Sequence, residues 1–426
     1  MRLNIRTPTL ASTTTYTLKL HCIINTQTHK LIDNTKKSTL HLENTINFEN
    51  HNNFPSLQSS PSLSSSPLGP KTNNLGKKWK EYQGMRNWDG LLDPLDDILR
   101  CEILRYGHFV EATYKSFEFD PSSSKYANCR FPKSTLLECC GIPNTGYKVT
   151  KYLHATSGIQ LPSWMNKSPN WVATQSSYIG YVAVCDNKEE IKRLGRRDVV
   201  IAIRGTCTCL EWLENFRATL TNFSIPCNHN NDEIAFERKG VGTMVESGFL
   251  NLYTSSNYAN SSIESLQKMV KQEILRINRV YNHEELSLTV TGHSLGAALA
   301  TLIAYDVKVT VPKLTVTVIS FGGPRVGNRN FRQHLEKQGT KVLRIVNSDD
   351  VITKLPGFVF FDDVDKTPWM YAEVGKELRL CSRDSPYLGS TNVATCHELH
   401  TYLHLVDGFV SSRCPFRASA KRFLRH

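Results

Sequence analysis

Apolar Leu286, Leu288 and Val290 alternate with Ser287, Thr289 and Thr291, and this period of two predicts a half-buried strand. Just beyond it, Leu295, Ala297, Ala298, Leu299, Leu302 and Ile303 predict a helix of strong helix formers. Gly292-His293-Ser294-Leu295-Gly296 is then the tight turn between them. The β-branched runs YIGYVAVC (Tyr178 to Cys185) and DVVIAIR (Asp198 to Arg204) predict two more strands, with charged NKEEIKRLGRR as a solvated hairpin connection. Residues 259–280 carry amphipathic helical spacing in Ile263, Leu266, Met269, Val270, Ile274 and Ile277. LTVTVISF (Leu314 to Phe321), a polar helical stretch from Asn328 to Gln338, and KVLRIV (Lys341 to Val346) continue the series. Strand and helix alternating at this spacing predict an α/β fold with right-handed crossovers and a central, mostly parallel sheet flanked by helices. Upstream, Trp88 to Phe117 has the spacing of one or two packing helices and implies no chemistry of its own.

At 426 residues the chain is long enough for a sizeable core. Lysine and arginine exceed the acids by 12. A basic surface suits anionic partners, and with no zinc-finger, RNA-binding or helix-turn-helix signature the favoured partner is a lipid membrane, not nucleic acid. No apolar run approaches the roughly 20 residues that span a bilayer, so peripheral binding is expected, with no transmembrane segment. The twelve cysteines lack C-x-x-C or zinc spacing and read mostly as reduced core thiols. The first 75 residues differ in kind. Arg2, Arg6 and Lys19 precede the first acid, Asp33, among many Thr, Ser and Asn, and SLQSSPSLSSSPLGP (Ser56 to Pro70) is low-complexity. Residues 1–75 therefore read as a removable organelle transit peptide, and 76–426 as the folded domain.

A serine between glycines at a strand-to-helix turn has two readings: a helix cap, or a nucleophile elbow that lifts the Ser294 hydroxyl clear of the sheet. Acyl transfer needs a base, an acid to orient it, and donors for the oxyanion. NSDDVITKLPG offers Asp349 and Asp350 at a strand end, and ATCHELHTYLHLVDGF offers His397, His400 and His404. The order Ser, Asp, His is the one that α/β-hydrolase sheets use. His397, His400 and His404 also fall at i, i+3 and i+7, one face of a helix, but no glutamate stands between His400 and His404 and no metal or other cofactor is expected. In IAIRGTCTCLEWLENF, Arg204-Gly205-Thr206 lies at another strand end, where a hydroxyl and N–H join the Leu295 N–H as oxyanion donors. The apolar run after it, with Trp212 and Phe216, reads as a lid over an acyl-chain groove.

Taken together, RGT…EW, GHSLGAALATL, FGGPRVGN, VNSDDVITKLP and HELHTYLHLVDGF resemble the class 3 lipases, an α/β-hydrolase core with a lid segment. WDGLLDPLDDILRCEILRYGHFVEATY and IKRLGRRDVVIAIRGT make the chain similar to plant phospholipases A1, and the leader to their plastid-targeted class I, the defective-in-anther-dehiscence type. The resemblance covers Trp79 to Phe409. It implies hydrolysis of the sn-1 ester of phosphatidylcholine, galactolipids or triacylglycerol in the chloroplast, with the fatty acid feeding jasmonate synthesis in some members. It places the nucleophile on Ser294, the acid on Asp350, the base on His397 and an oxyanion donor on Thr206. A neutral-lipid or galactolipid lipase, and a lipase-like signalling protein without turnover, are the alternatives. Geometry is expected to agree: Asp349 points the opposite way from Asp350 into solvent, and His397 begins the helical stretch.

Overall fold

The computed structural model describes residues 75–156, 176–206, 219–223, 242–256, 264–356, 370–389, 392–414 and 416–417. The chain divides into two units, Met1–Pro67 and Leu68–His426, and every described residue belongs to the second. Residues 1–74 of the expected 1–75 leader, and Trp212 and Phe216 of the expected lid, lie outside the described residues; Leu75, expected in the leader, opens the first helix.

In chain order the elements are α1 (Leu75–Tyr82), α2 (Asp97–Lys115), α3 (Leu136–Cys139), β1 (Tyr147–Thr156), β2 (Ser176–Cys185), α4 (Lys188–Leu194), β3 (Arg197–Ile203), β4 (Leu220–Asn222), β5 (Met244–Glu246), α5 (Ser247–Thr254), α6 (Leu266–Val280), β6 (Leu286–His293), α7 (Leu295–Thr310), β7 (Thr315–Phe321), β8 (Gly327–Asn328), α8 (Arg329–Lys337), β9 (Lys341–Asn347), β10 (Tyr371–Ala372), β11 (Lys376–Leu380), α9 (Val393–His397) and α10 (Leu399–Gly408). The large sheet runs β1-β2-β3-β6-β7-β9-β11. From β3 to β11 every neighbouring pair is parallel, and β1, β2 and β3 pair antiparallel. The expected mostly parallel sheet is present. A small antiparallel sheet, β10-β8-β5-β4, was not expected.

Side-chain alternation divides the core into two layers. Val199, Ile201 and Ile203 of β3 face the layer formed with α6 and α7, where Met269, Ile274, Leu299 and Ile303 also sit. Val200 and Ala202 face the layer of α2 and α10, with Ile103, Phe109, Tyr402 and Leu403. Helix α7 is buried almost all round, from Leu295 to Val307, as a helix of small and apolar residues wedged against a sheet must be. Helix α2 begins where Asp96 accepts from the N–H groups of Ile98 and Leu99.

Three expectations are corrected. First, β6 is not half-buried: Ser287, Thr289 and Thr291 are fully buried because each finds a partner inside, Ser287 on Asp198, Thr289 on Gln83 and Thr291 on the Ile319 carbonyl. Second, the connection between the antiparallel pair β2 and β3 folds into α4, capped by Asn187 and closed by Gly195 at φ 71°. Third, of the eight described cysteines only Cys140, Cys185 and Cys396 are buried, and none of the eight is in a disulfide. Among the described residues no helix is long and apolar enough to cross a membrane.

Candidate active site

Strand β6 lies between β3 and β7, with Ile203 opposite Gly292 and Phe321 opposite His293. The carboxyl ends of these parallel strands therefore meet at one edge, where α/β sheets gather their chemistry. Ser294 follows β6 with φ 58° and ψ −127°, a backbone state that costs a non-glycine residue energy and that a nucleophile elbow imposes. The turn is tight enough to dictate its glycines. A Cβ on Gly292 would stand 2.4 Å from Gly296, and one on Gly296 would stand 2.5 Å from the carbonyl oxygens of Ile203 and Arg204. Ser294 occupies the cap position of α7, yet its side chain makes no capping bond. Its Oγ is buried and has no hydrogen-bond partner among the described residues. The helix-cap reading of this serine is overturned.

The carboxylate comes from the turn after β9. Asp350 is fully buried; its N–H donates to the Asn347 carbonyl, and its Oδ1 accepts from the Ile352 N–H at 2.9 Å. Its Oδ2 accepts from two sides, His397 Nδ1 at 2.6 Å and the Tyr402 hydroxyl at 2.6 Å. Burial and then the Asp350 charge push the Tyr402 phenol far above its ordinary value, so it remains a donor. Asp349 turns away, as expected, but it meets the Arg383 guanidinium at 3.1 Å and the Cys381 thiol at 3.4 Å.

The three histidines do not share a helical face. Helix α9 ends at His397, Glu398 breaks the path at ψ 140°, and α10 starts at Leu399. His397 therefore closes a helix where it was expected to begin one. The break aims it at Asp350. His400 is half exposed beside Glu111, and His404 is buried with its Nε2 2.6 Å from the Ser385 hydroxyl. No metal-binding cluster of His, Cys, Asp and Glu occurs among the described residues.

The third strand end supplies the loop Arg204-Gly205-Thr206. A Cβ on Gly205 would stand 2.8 Å from Ser294 Cβ, so this backbone lies directly against the serine. The guanidinium of Arg204 stacks 3.9 Å over Phe117 and donates to the Gly205 carbonyl and to the Tyr178 carbonyl, each at 2.9 Å. With the Gly205 carbonyl held on one side, the planar trans peptide turns the Thr206 N–H to the other. The Thr206 Oγ1 is buried without a hydrogen-bond partner among the described residues. Leu295 is the first residue of α7, where the helix leaves its N–H groups unclaimed by intrahelical bonds.

Sequence reasoning missed four residues that touch this constellation. Tyr402 falls five positions after His397, a signal that was present in the HELHTYLH run. Asn347 ties the end of β9 to the Cys396 carbonyl at 2.9 Å and so fixes the residue before His397. His293 and Tyr114 connect the loop to the base, and α2 thus brings chemistry where only packing was expected.

The matching family model is the lipase (class 3), over residues 200–360. The chain belongs to the class 3 lipase family. It is 63% identical over 371 residues to the Arabidopsis thaliana chloroplastic phospholipase A(1) DAD1, covering 82% of this chain and 80% of that one. It is 40% identical to the Arabidopsis thaliana chloroplastic galactolipase DONGLE, over 79% of this chain and 71% of that one. Among solved structures, a Rhizomucor miehei lipase in complex with its propeptide is similar at 18% identity and a TM-score of 0.44, covering 75% of this chain and 81% of that one.

Proposed function

We propose that this class 3 lipase is a phospholipase A1 that cleaves the sn-1 ester of phosphatidylcholine through an acyl-enzyme on Ser294. His397 takes the Ser294 proton as Oγ attacks the carbonyl, and Asp350 holds the imidazole in the tautomer that accepts it. The oxyanion forms against the N–H and hydroxyl of Thr206 and the N–H of Leu295. His397 then protonates the leaving alcohol; in the second half it takes a proton from water, which attacks the acyl-enzyme carbonyl, and gives that proton to Ser294 Oγ as the fatty acid leaves. The observation that carries this reading is the buried Asp350–His397 pair at 2.6 Å, set at the same sheet edge as a strained serine.

The head group is read from the relatives: the 63% identical protein is named a phospholipase A(1). Galactolipids are the second reading, favoured by the galactolipase among the relatives. Residues 1–75 are a transit peptide that takes the enzyme to the chloroplast, and both relatives named above carry chloroplastic names. Trp212 and Phe216 belong to a lid, and the enzyme binds membranes peripherally through a basic surface. Release of fatty acid for jasmonate synthesis is the corresponding physiological role.

The test offers the purified enzyme phosphatidylcholine and monogalactosyldiacylglycerol, each with different acyl chains at sn-1 and sn-2. The products are resolved by mass spectrometry. Release of the sn-1 acid, fastest from phosphatidylcholine and abolished in Ser294→Ala, is the expected result. Preferential sn-2 release, or faster turnover of the galactolipid, would replace this reading with another.

A further inference from the structure

A line of hydrogen bonds crosses the site behind Ser294. The Gly205 N–H donates to the Tyr114 hydroxyl oxygen at 2.7 Å. Tyr114 and His293 Nδ1 are 2.8 Å apart, and His293 Nε2 is 2.6 Å from the carbonyl oxygen of His397. With a neutral His293 ring, only one proton arrangement satisfies all three contacts. A carbonyl oxygen can only accept, so His293 Nε2 carries the hydrogen. In the neutral ring Nδ1 is then an acceptor, and Tyr114 gives its proton to it while taking the Gly205 N–H on its oxygen. Burial, and after it the neighbouring His397, hold the His293 imidazole well below the ordinary histidine range, so the neutral ring is the form present at neutral pH.

The line joins parts that are far apart in sequence. Tyr114 is the penultimate residue of α2, Gly205 follows β3, His293 ends β6, and His397 ends α9. The rings of His293 and His397 are tilted by 36° to one another, with centroids 4.8 Å apart. Because the Gly205 N–H is committed to Tyr114, it is not an oxyanion donor, and the Gly205 carbonyl is already committed to Arg204. Both peptides around Gly205 are thereby fixed in orientation. Oxyanion donors act only within a few tenths of an ångström of their working position, so the spacing between this loop and the base has to be set by something rigid.

We propose that Tyr114 and His293 are positioning residues, a relay that holds the oxyanion loop and the backbone of His397 at a fixed spacing on either side of Ser294. The inference rests on the proposed roles of Ser294, His397 and Thr206. Neither Tyr114 nor His293 touches the reacting atoms in this account. Their effect is on the transition state, where the donors must meet a developing charge, and not on substrate binding.

The test uses the full chain on a soluble p-nitrophenyl ester, with a trifluoromethyl ketone as mimic of the tetrahedral oxyanion. Tyr114→Phe keeps the ring and removes only the hydroxyl. His293→Leu and the double variant complete a cycle. Tyr114→Phe is expected to lower kcat about tenfold, with KM within about twofold, and to weaken the ketone by the same factor as kcat/KM. The double variant is expected to be no worse than the weaker single, since both substitutions break one line. Wild-type kcat and ketone affinity in Tyr114→Phe, additive losses in the double variant, or losses that follow thermal stability alone would overturn the relay. Ser294→Ala run beside them separates the two levels. If it stays active the serine reading itself fails; if it is dead while Tyr114→Phe is intact, only the relay fails.

Discussion

Two aspartates stand side by side after β9, and burial separates them. Asp350 has no exposed surface and spends Oδ2 on His397 and Tyr402, whereas Asp349 is partly exposed and paired with the long, solvated Arg383. An exposed pair of that kind contributes little. The histidines separate in the same way, since His397 reaches Asp350 whereas His400 is half exposed beside Glu111. Asp350→Asn and His397→Ala are therefore expected to lower kcat by about 10³ or more. Asp349→Asn and His400→Ala are expected to stay within about tenfold, roughly 1.4 kcal/mol in the barrier. Steady-state kcat of the four variants, each verified as folded by circular dichroism, decides it. A dead His400→Ala beside an active His397→Ala would move the base. The doublets were legible as candidates in the sequence, but choosing within each took burial and a break in the helix at Glu398, and HELHTYLH carries no mark of such a break.

At the scale of elements, the end of the sheet away from Ser294 is held by charge. Asp198, near the start of β3, accepts from the hydroxyls of Tyr106 at 3.0 Å, Tyr147 at 2.7 Å and Ser287 at 2.7 Å. The guanidiniums of Arg196 and Arg105 each stand 3.6 Å from it. Burial pushes the Tyr106 phenol up to about 12, so it too remains a donor. This cluster joins α2, β1, β3 and β6 through one buried carboxylate. Asp198→Ala leaves Arg196 buried without its counter-charge and is expected to cost about 3–5 kcal/mol. Urea unfolding measures it, and kcat per folded molecule is expected to hold because the site is at the other end of the strands. A loss below about 1 kcal/mol would mean that the tyrosines and arginines satisfy one another without it. The long elements were legible because periods of two and 3.6 need several residues to register. The small sheet was not, since β4, β5, β8 and β10 are two or three residues long and carry no period at all. Thr289 and Thr291 misled for a related reason: alternation reports polarity, and these hydroxyls are buried with partners.

Across the whole molecule, we assign the surplus of 12 basic residues and the proposed lid to contact with a lipid surface. If Trp212 covers an acyl groove in water and meets lipid when the lid opens, Trp212→Ala is expected to depress hydrolysis of vesicles far more than hydrolysis of a short soluble ester. Equal losses on the two substrates would make this residue part of the core. The leader is tested separately. Residues 1–75 fused to a fluorescent protein are expected to enter chloroplasts, and a fusion that stays in the cytosol would contradict the transit-peptide reading. Leu75, the last residue of the 1–75 leader, is buried at the start of α1, so enzyme preparations should lack only residues 1–74.

The central claim is that Ser294 is a nucleophile activated by His397. The decisive measurement is labelling with a fluorophosphonate, which phosphonylates an activated serine with loss of fluoride, followed by peptide mass spectrometry. One labelled peptide, containing Ser294, is expected, with labelling slowed by about 10³ or more in His397→Ala and absent in Ser294→Ala. Label on another serine, or equally fast labelling of Ser294 in the His397→Ala enzyme, would contradict it.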